Sequence, residues 1–356
     1  MNTLRRLTGS ACPADGGNIK VYFMDGSYKS YIFHKRDTVE DLWLQVVEKL
    51  GLSREGAECF YLWASCDTLE ILLYAGEKLQ KVFKRWPKTF LKYHEAEGNA
   101  SLPNSMNRAW KTAKEINPLA KTDVPEMKLK FRTTAILPLS VERNIKDPMA
   151  VYLFYTQAVY NVIHSNYPCE PDLAVELAGL QLQRTVGDHN PEMHVEGYLM
   201  NDKNLNLYVP HHLVSKLNTQ ECEAMILEKH KQCSGKDPFI VELLYLQRVR
   251  QWKYYGSTFF IADYTPDTTS FFEHPFQGEV RVGVNMEGLH VIDPRQMKTK
   301  TYGFREIKVW TSGDKFLTFV TPHEDIQRHV YKTAQVRTSC SASPVVPFLF
   351  FSCTNT

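Results

Sequence analysis

Signatures of catalysis and metal binding are missing from this chain. None of its eight cysteines (Cys12, Cys59, Cys66, Cys169, Cys222, Cys233, Cys340 and Cys353) stands in a C-x-x-C pair, which excludes zinc-ribbon and dithiol redox motifs. At 356 residues no disulfide scaffold is needed, and the thiols read as reduced, cytosolic cysteines. There is no nucleophile elbow, phosphate loop or paired-carboxylate motif. His189 and His194 flank Glu192 at a spacing that fits no helical metal site. His211 and His212 are adjacent, so they point apart on any regular element. All four read as structural or solvent-facing. We therefore expect no catalytic residue, no metal and no cofactor. The rival reading is an enzyme with an unrecognised site, which a strongly shifted cysteine or histidine in a deep cleft would reveal.

Long apolar runs are also lacking. Nothing approaches the ~18 residues needed to span a bilayer, and the run Val345–Phe351 is far too short. Met1–Gly17 carries no apolar core for a signal peptide. Charge of one sign is scarce as well: the formal net charge is +2, which argues against a dedicated nucleic-acid binder. Electrostatic function must come from local clusters.

The 43% apolar content is enough for a globular core, and the length suits about two to three domains. Three segments of different periodicity follow one another. Residues 1–17 read as a disordered N-terminus. Ile19–Met24 and Ser27–His34 alternate as strands around the tight turn Asp25-Gly26. Thr38 then caps a helix carrying Val39, Leu42, Val46 and Leu50 on one face, and Gly51 ends it. Phe60–Ala64, Leu69–Leu73 and Lys128–Thr133 complete a strand-rich first lobe, 18–138. Gly, Asn, Ser and Pro dominate 94–125, read as an inserted loop with one weak helix at Arg108–Ile116.

The second segment, 139–250, is helical. Asp147-Pro148, Glu170-Pro171 and Asp237-Pro238 each place an acid and a proline where a helix start accepts both. Thr219 is expected to cap a further helix through Lys231. The third segment, 251–335, is rich in short strands: Ser257–Ala262, Glu279–Asn285, Leu289–Asp293, Phe304–Trp310, Phe316–Val320 and Arg328–Lys332, which suggest a barrel or sandwich. No repeat at solenoid periods is found. Residues 336–356, with Pro344 and Pro347, read as an atypical tail.

Tyr255-Gly256-Ser257-Thr258-Phe259-Phe260, Val282-Gly283-Val284-Asn285 with Gly288-Leu289, and His329-Val330-Tyr331-Lys332-Thr333 resemble strands of the third lobe of FERM modules. The resemblance covers Asn18 to about Gln335. Tyr22–Tyr28, Arg85-Trp86-Pro87, and Leu137-Pro138-Leu139 through Asp147-Pro148 are most similar to the FERM regions of the Krev-interaction-trapped (cerebral cavernous malformation) proteins. FERM proteins that bind inactive rhomboids come next. The resemblance implies an α+β, three-lobed module. It consists of a ubiquitin-like lobe, a helical acyl-CoA-binding-protein-like lobe and a PH/PTB-like β-barrel, here lacking its usual C-terminal helix. The function implied is a non-enzymatic scaffold or adaptor, with a membrane–cytoskeleton linker as the alternative. Its location would be the cytoplasm, peripheral to the plasma membrane and cell junctions.

Three sites follow. The resemblance places a Rap-type small GTPase on the edge strand Ser27–His34, through Lys29, Ser30 and Ile32, by strand addition. The other reading is an ordinary half-exposed strand. Phe23 stands where the relative has a basic residue, which would weaken electrostatic steering. The second site is the stretch Lys78, Lys81, Lys84, Arg85, Lys88 and Lys92 interleaved with Leu79, Val82, Phe83, Trp86 and Phe90. Each cation near an anionic leaflet is worth about 1 kcal/mol, so a phosphoinositide surface is a candidate partner. A solvated face over a core stripe is the alternative. The third is a peptide groove beside Ile307, Val309 and Trp310, taking the cytoplasmic tail of a transmembrane receptor as an added strand. Without a closing helix, the third lobe is expected to be the least stable.

Overall fold

The computed structural model describes residues 16–67, 69–98, 124–201, 205–265, 276, 278–312, 316–322 and 326–332. The first lobe opens with the hairpin β1 (Gly16–Tyr22) and β2 (Tyr28–His34). Its turn forms because Gly26 takes a φ of 82° while Asp25 Oδ1 accepts from Ser27 N–H at 2.9 Å. Helix α1 (Val39–Leu50) begins with a reciprocal Thr38–Asp41 capping box and ends at Gly51 with a φ of 67°. The short α2 (Arg54–Ala57), β3 (Phe60–Ser65), β4 (Glu70–Leu72), α3 (Leu79–Gly98) and β5 (Lys128–Thr133) follow. The five strands order as β2-β1-β5-β3-β4, with β1 and β5 parallel. Helix α3 runs to Gly98, into the segment read from sequence as loop. The expected helix at Arg108–Ile116 lies outside the described residues.

The second lobe contains α4 (Leu139–Asn144), α5 (Pro148–Ile163), α6 (Pro171–Val186), α7 (Tyr198–Asn201), α8 (His211–Val214), α9 (Thr219–Lys231) and α10 (Pro238–Val249). Asp147 and Asp237 accept from the first free N–H groups of α5 and α10, with proline at the start of each. Glu170 makes no such side-chain bond. The cap of α9 is Asn218, not Thr219: the Asn218 side chain accepts from Gln220 and Glu221 N–H, and Thr219 is the first helical residue. Both residue types cap well, and tertiary context chose the earlier one.

The third lobe is a seven-stranded antiparallel sheet ordered β10-β11-β12-β6-β7-β8-β9. The strands are β6 (Thr258–Thr265), β7 (Gly278–Asn285), β8 (Gly288–Asp293), β9 (Lys298–Tyr302), β10 (Val309–Ser312), β11 (Phe316–Pro322) and β12 (Ile326–Lys332). Two sequence expectations fail here. Lys298–Tyr302 is a strand; its Lys-Thr-Lys-Thr run has no apolar alternation because most of it faces solvent on a sheet edge. Phe304–Trp310 is not one strand: Phe304–Glu306 is a 3-10 turn, and the strand starts only at Val309. Glu306 Oε2 accepting from Gly303 N–H at 2.8 Å holds that turn.

One apolar core runs through the first two lobes, including Leu42, Phe60, Phe131, Phe154 and Tyr245. The third lobe has its own, built on Val280, Val291, Phe319 and Tyr331. The expected tail, 336–356, lies outside the described residues, as does most of the expected disordered N-terminus.

Candidate functional site

Strand β2 is an edge of its sheet. Tyr31 and Phe33 point into the core, while Ser30 and Ile32 face out, Ile32 at 62% exposure. Lys29 is half-buried. In an antiparallel ladder, N–H and C=O of one residue face the same side. The Ser30 carbonyl accepts from Lys49 Nζ at 2.9 Å and His34 N–H donates to Asp37 Oδ2 at 2.7 Å. Both face away from β1, so Ile32 between them also turns its backbone groups outward. Phe23 is no surface position: it is buried against Phe131, with ring centroids 6.3 Å apart. A basic residue could not occupy that core site, and the expected loss of steering charge there does not apply.

Helix α3 segregates its residues cleanly. At about 100° per residue, Leu79, Val82, Trp86 and Phe90 share one face, and all are buried. Lys78, Lys81, Lys84 and Lys88 are exposed on the opposite side. Arg85 is exposed too but bonds Glu77, with Nη2 to Oε2 at 2.8 Å, so its charge is locally matched. The side chain of Lys92 lies outside the described residues. Trp86 is 5% exposed and its Nε1–H donates to the Pro125 carbonyl at 3.0 Å. It is a core anchor and has no freedom to enter a membrane. Phe83 stacks on Phe33 of β2 at 6.2 Å, which ties the helix to the edge hairpin.

In the third lobe β10 is also a sheet edge. Val309 is 61% exposed, Trp310 packs partly on the third-lobe core, and Ile307 is buried. Ile307 therefore supports the edge from beneath and cannot line an open groove.

No pattern along the chain signals the cavity of about 430 Å³ where all three lobes meet. It is lined by Glu70, Lys130 and Arg132 of the first lobe, His164 and His211 of the second, and Phe259 and Arg281 of the third. Glu70 bonds Lys130 Nζ at 2.7 Å and also pairs with Arg132. Burial alone would raise the Glu70 carboxyl, but the two cations hold it down at about 2. Burial lowers His164, whose ring stacks on Tyr160 at 3.9 Å. These residues lie up to about two hundred positions apart, so no spacing in the sequence could have signalled them.

Buried His212 bonds Ser165 Oγ and the Cys169 carbonyl, whereas His211 is exposed. His189 and His194 do come together, joined by buried His230, with ring centroids 5.0–5.5 Å apart. Among the described residues no group of three or more His, Cys, Asp or Glu could hold a metal ion. The described cysteines are buried, and burial pushes Cys59 up to about 11 and Cys169 up to about 12. Such thiols are poor nucleophiles at neutral pH. No helix among the described residues is long and apolar enough to cross a membrane.

The profile of the FERM central domain matches residues 140–260, and that of an RA-like domain matches residues 18–112. The chain is 31% identical over 382 residues to FERM domain-containing protein B of Dictyostelium discoideum, covering 84% of this chain and 79% of that one. FERM domain-containing protein 8 of Xenopus laevis is 24% identical over 279 residues, 73% of this chain and 57% of that one. Among solved structures, the human myosin 7b C-terminal MyTH4-FERM domain in complex with the harmonin-a PDZ3 domain shares the fold. Its TM-score is 0.65 at 18% identity, over 94% of this chain and 60% of that one. With three lobes in this order, a shared core under the first two and a curled sheet as the third, the chain belongs to the FERM-domain family.

Proposed function

We propose that this chain is a non-enzymatic scaffold that gathers partners at the cytoplasmic face of the plasma membrane, at cell junctions. The lysine face of α3 rests on a phosphoinositide-bearing leaflet. The β2 edge pairs with a Rap-type small GTPase through Lys29, Ser30 and Ile32. The cavity between the lobes, with the β10 edge beside Val309 and Trp310, takes a receptor's cytoplasmic tail. The observation that carries this reading is α3: exposed lysines opposite a buried apolar face, on a helix tied to an open strand edge by Phe33 and Phe83. The RA-like match over 18–112 supports the GTPase. Each contact is weak alone, and their sum on one chain raises the effective concentration of every partner.

Sedimentation with liposomes tests the membrane half. The chain should pellet with phosphoinositide vesicles and release as salt rises, because exposed charges are screened over about 8 Å at physiological ionic strength. Changing Lys81, Lys84 and Lys88 to Glu should abolish pelleting with an unchanged melting temperature. Pelleting that ignores both salt and these substitutions would refute the assignment of this face. A chain that pellets but binds neither nucleotide form of the GTPase would be read as a membrane–cytoskeleton linker or an inactive-rhomboid-binding protein.

A further inference from the structure

A second, larger groove of about 780 Å³ lies between the first and second lobes and shares no lining residue with the lysine face. One wall is the β1–β2 turn, Tyr22 to Gly26; the other is α5 and α6 with Leu207 and Tyr208. Its size is that of a ligand pocket. Its surface is mostly aromatic and aliphatic, with Tyr152, Tyr155, Val159 and Ile163 along α5. Tyrosine walls of this kind favour protein recognition, since each ring offers apolar area and a polar tip.

The polar groups are unevenly committed. Asp25, the only carboxylate lining the groove among the described residues, is saturated: Oδ2 accepts from Tyr152 OH at 2.7 Å and Oδ1 from Ser27. Among the cations Lys130 is already bonded to Glu70 at 2.7 Å, which leaves Arg184 and Lys128. Arg184 Nε donates to Glu242 at 2.6 Å and its guanidinium lies 5.1 Å from the Tyr152 ring centroid. That contact is made through Nε alone, and the side chain remains 29% exposed at the groove. A guanidinium has five donors, and Nε commits one of them to Glu242. Lys128, which also lines the groove, is exposed, with Nζ 5.6 Å from the Tyr22 ring centroid. A carboxylate satisfies the Arg184 fork bidentately, and an apolar side chain beside it fills the tyrosine-walled floor.

We propose that this groove is a docking site for an acidic linear peptide of a partner protein, with a carboxylate on Arg184 and Lys128 and a large apolar anchor along α5. The site is independent of the β2 edge and of the lysine face of α3. A random dodecapeptide phage library selected on the immobilised full chain tests it. Enriched peptides are then synthesised and their affinities measured by fluorescence anisotropy. We expect a consensus of Asp or Glu flanking a large apolar residue, and at least tenfold weaker binding to Lys128→Glu and to Leu207→Asp. Both positions are exposed, so neither variant should shift the melting temperature. Arg184→Lys, which retains a cation for Glu242 but loses the fork, should weaken binding similarly. Absence of an acidic consensus, or peptides whose affinity is the same for all three variants, would overturn the proposal. So would phosphatidylserine vesicles binding through these residues when no peptide is selected, since the groove would then serve lipid.

Discussion

At the scale of single residues, the histidines carry the clearest consequence. His230 Nε2–H donates to the Gly187 carbonyl at 2.7 Å, and its Nδ1 has no partner among the described residues. Burial lowers both His230 and His194, the Gly187 hydrogen bond partly opposes it at His230, and the neighbouring rings add to it. Burial similarly brings His290 down to about 4. The sign follows directly. Above an unfolded value of about 6.5, both states are neutral and these groups contribute nothing to the pH dependence. Below it, the unfolded chain binds protons that the native one refuses. Each such group then lowers stability by up to about 1.4 kcal/mol per pH unit. Melting temperature should therefore be flat above pH 7 and fall between pH 6.5 and 5. His230→Gln should fall less steeply, whatever its starting value. An identical slope in that variant would show that the cluster is not among the sources. The local rules at this scale were readable: Thr38, Gly51, Asp147 and Asp237 do what their chemistry predicts. The meeting of His189, His194 and His230 was not, because His230 is brought in by a different helix.

At the scale of elements, α3 and β2 show why a pattern can be right while single roles within it are wrong. Apolar spacing at i, i+3, i+7 and i+11 marks one buried face, so the lysine face was legible. That Arg85 bonds Glu77 and that Trp86 reaches Pro125 depend on neighbours no period encodes. For β2 the exposed parity gives a direct test of strand addition. Lys29→Glu should weaken the GTP-loaded Rap-type GTPase by reversing one charge contact. Ile32→Pro should abolish binding, because proline removes an outward N–H. A proline on an edge is tolerated, so the melting temperature should move little. Isothermal calorimetry decides: equal affinity for GTP and GDP forms, or full binding by Ile32→Pro, would exclude pairing at this edge.

At the scale of the molecule, the first and second lobes share one core and the third stands on another. The joint between them combines aromatic packing, with the Tyr167 and Phe259 ring centroids 5.7 Å apart, and polar contacts. Buried Glu142 pairs with Arg250 Nη2 at 2.8 Å and accepts from Tyr255 OH at 2.5 Å, while Tyr167 OH accepts from Gly256 N–H at 2.8 Å. The third-lobe sheet leaves β9 and β10 as edges that do not pair with one another among the described residues. Small separate cores open more readily than large shared ones. Hydrogen exchange should therefore show weaker protection over Glu279–Lys332 than over Asn18–Leu73, as two cooperative units. Equal, strong protection across both would mean that the joint couples all three lobes.

Sequence alone determined the three-segment order, most strand and helix starts, and the amphipathic division of α3. These depend on caps, turns and periodicities within a few residues of one another. Tertiary structure alone decided that Phe23 and Ile307 are core, that Lys298–Tyr302 pairs as a strand and that Phe304–Glu306 turns. It also decided that cavities open between the lobes. Each of these is set by partners far away in the chain, whose contact depends on how whole faces pack.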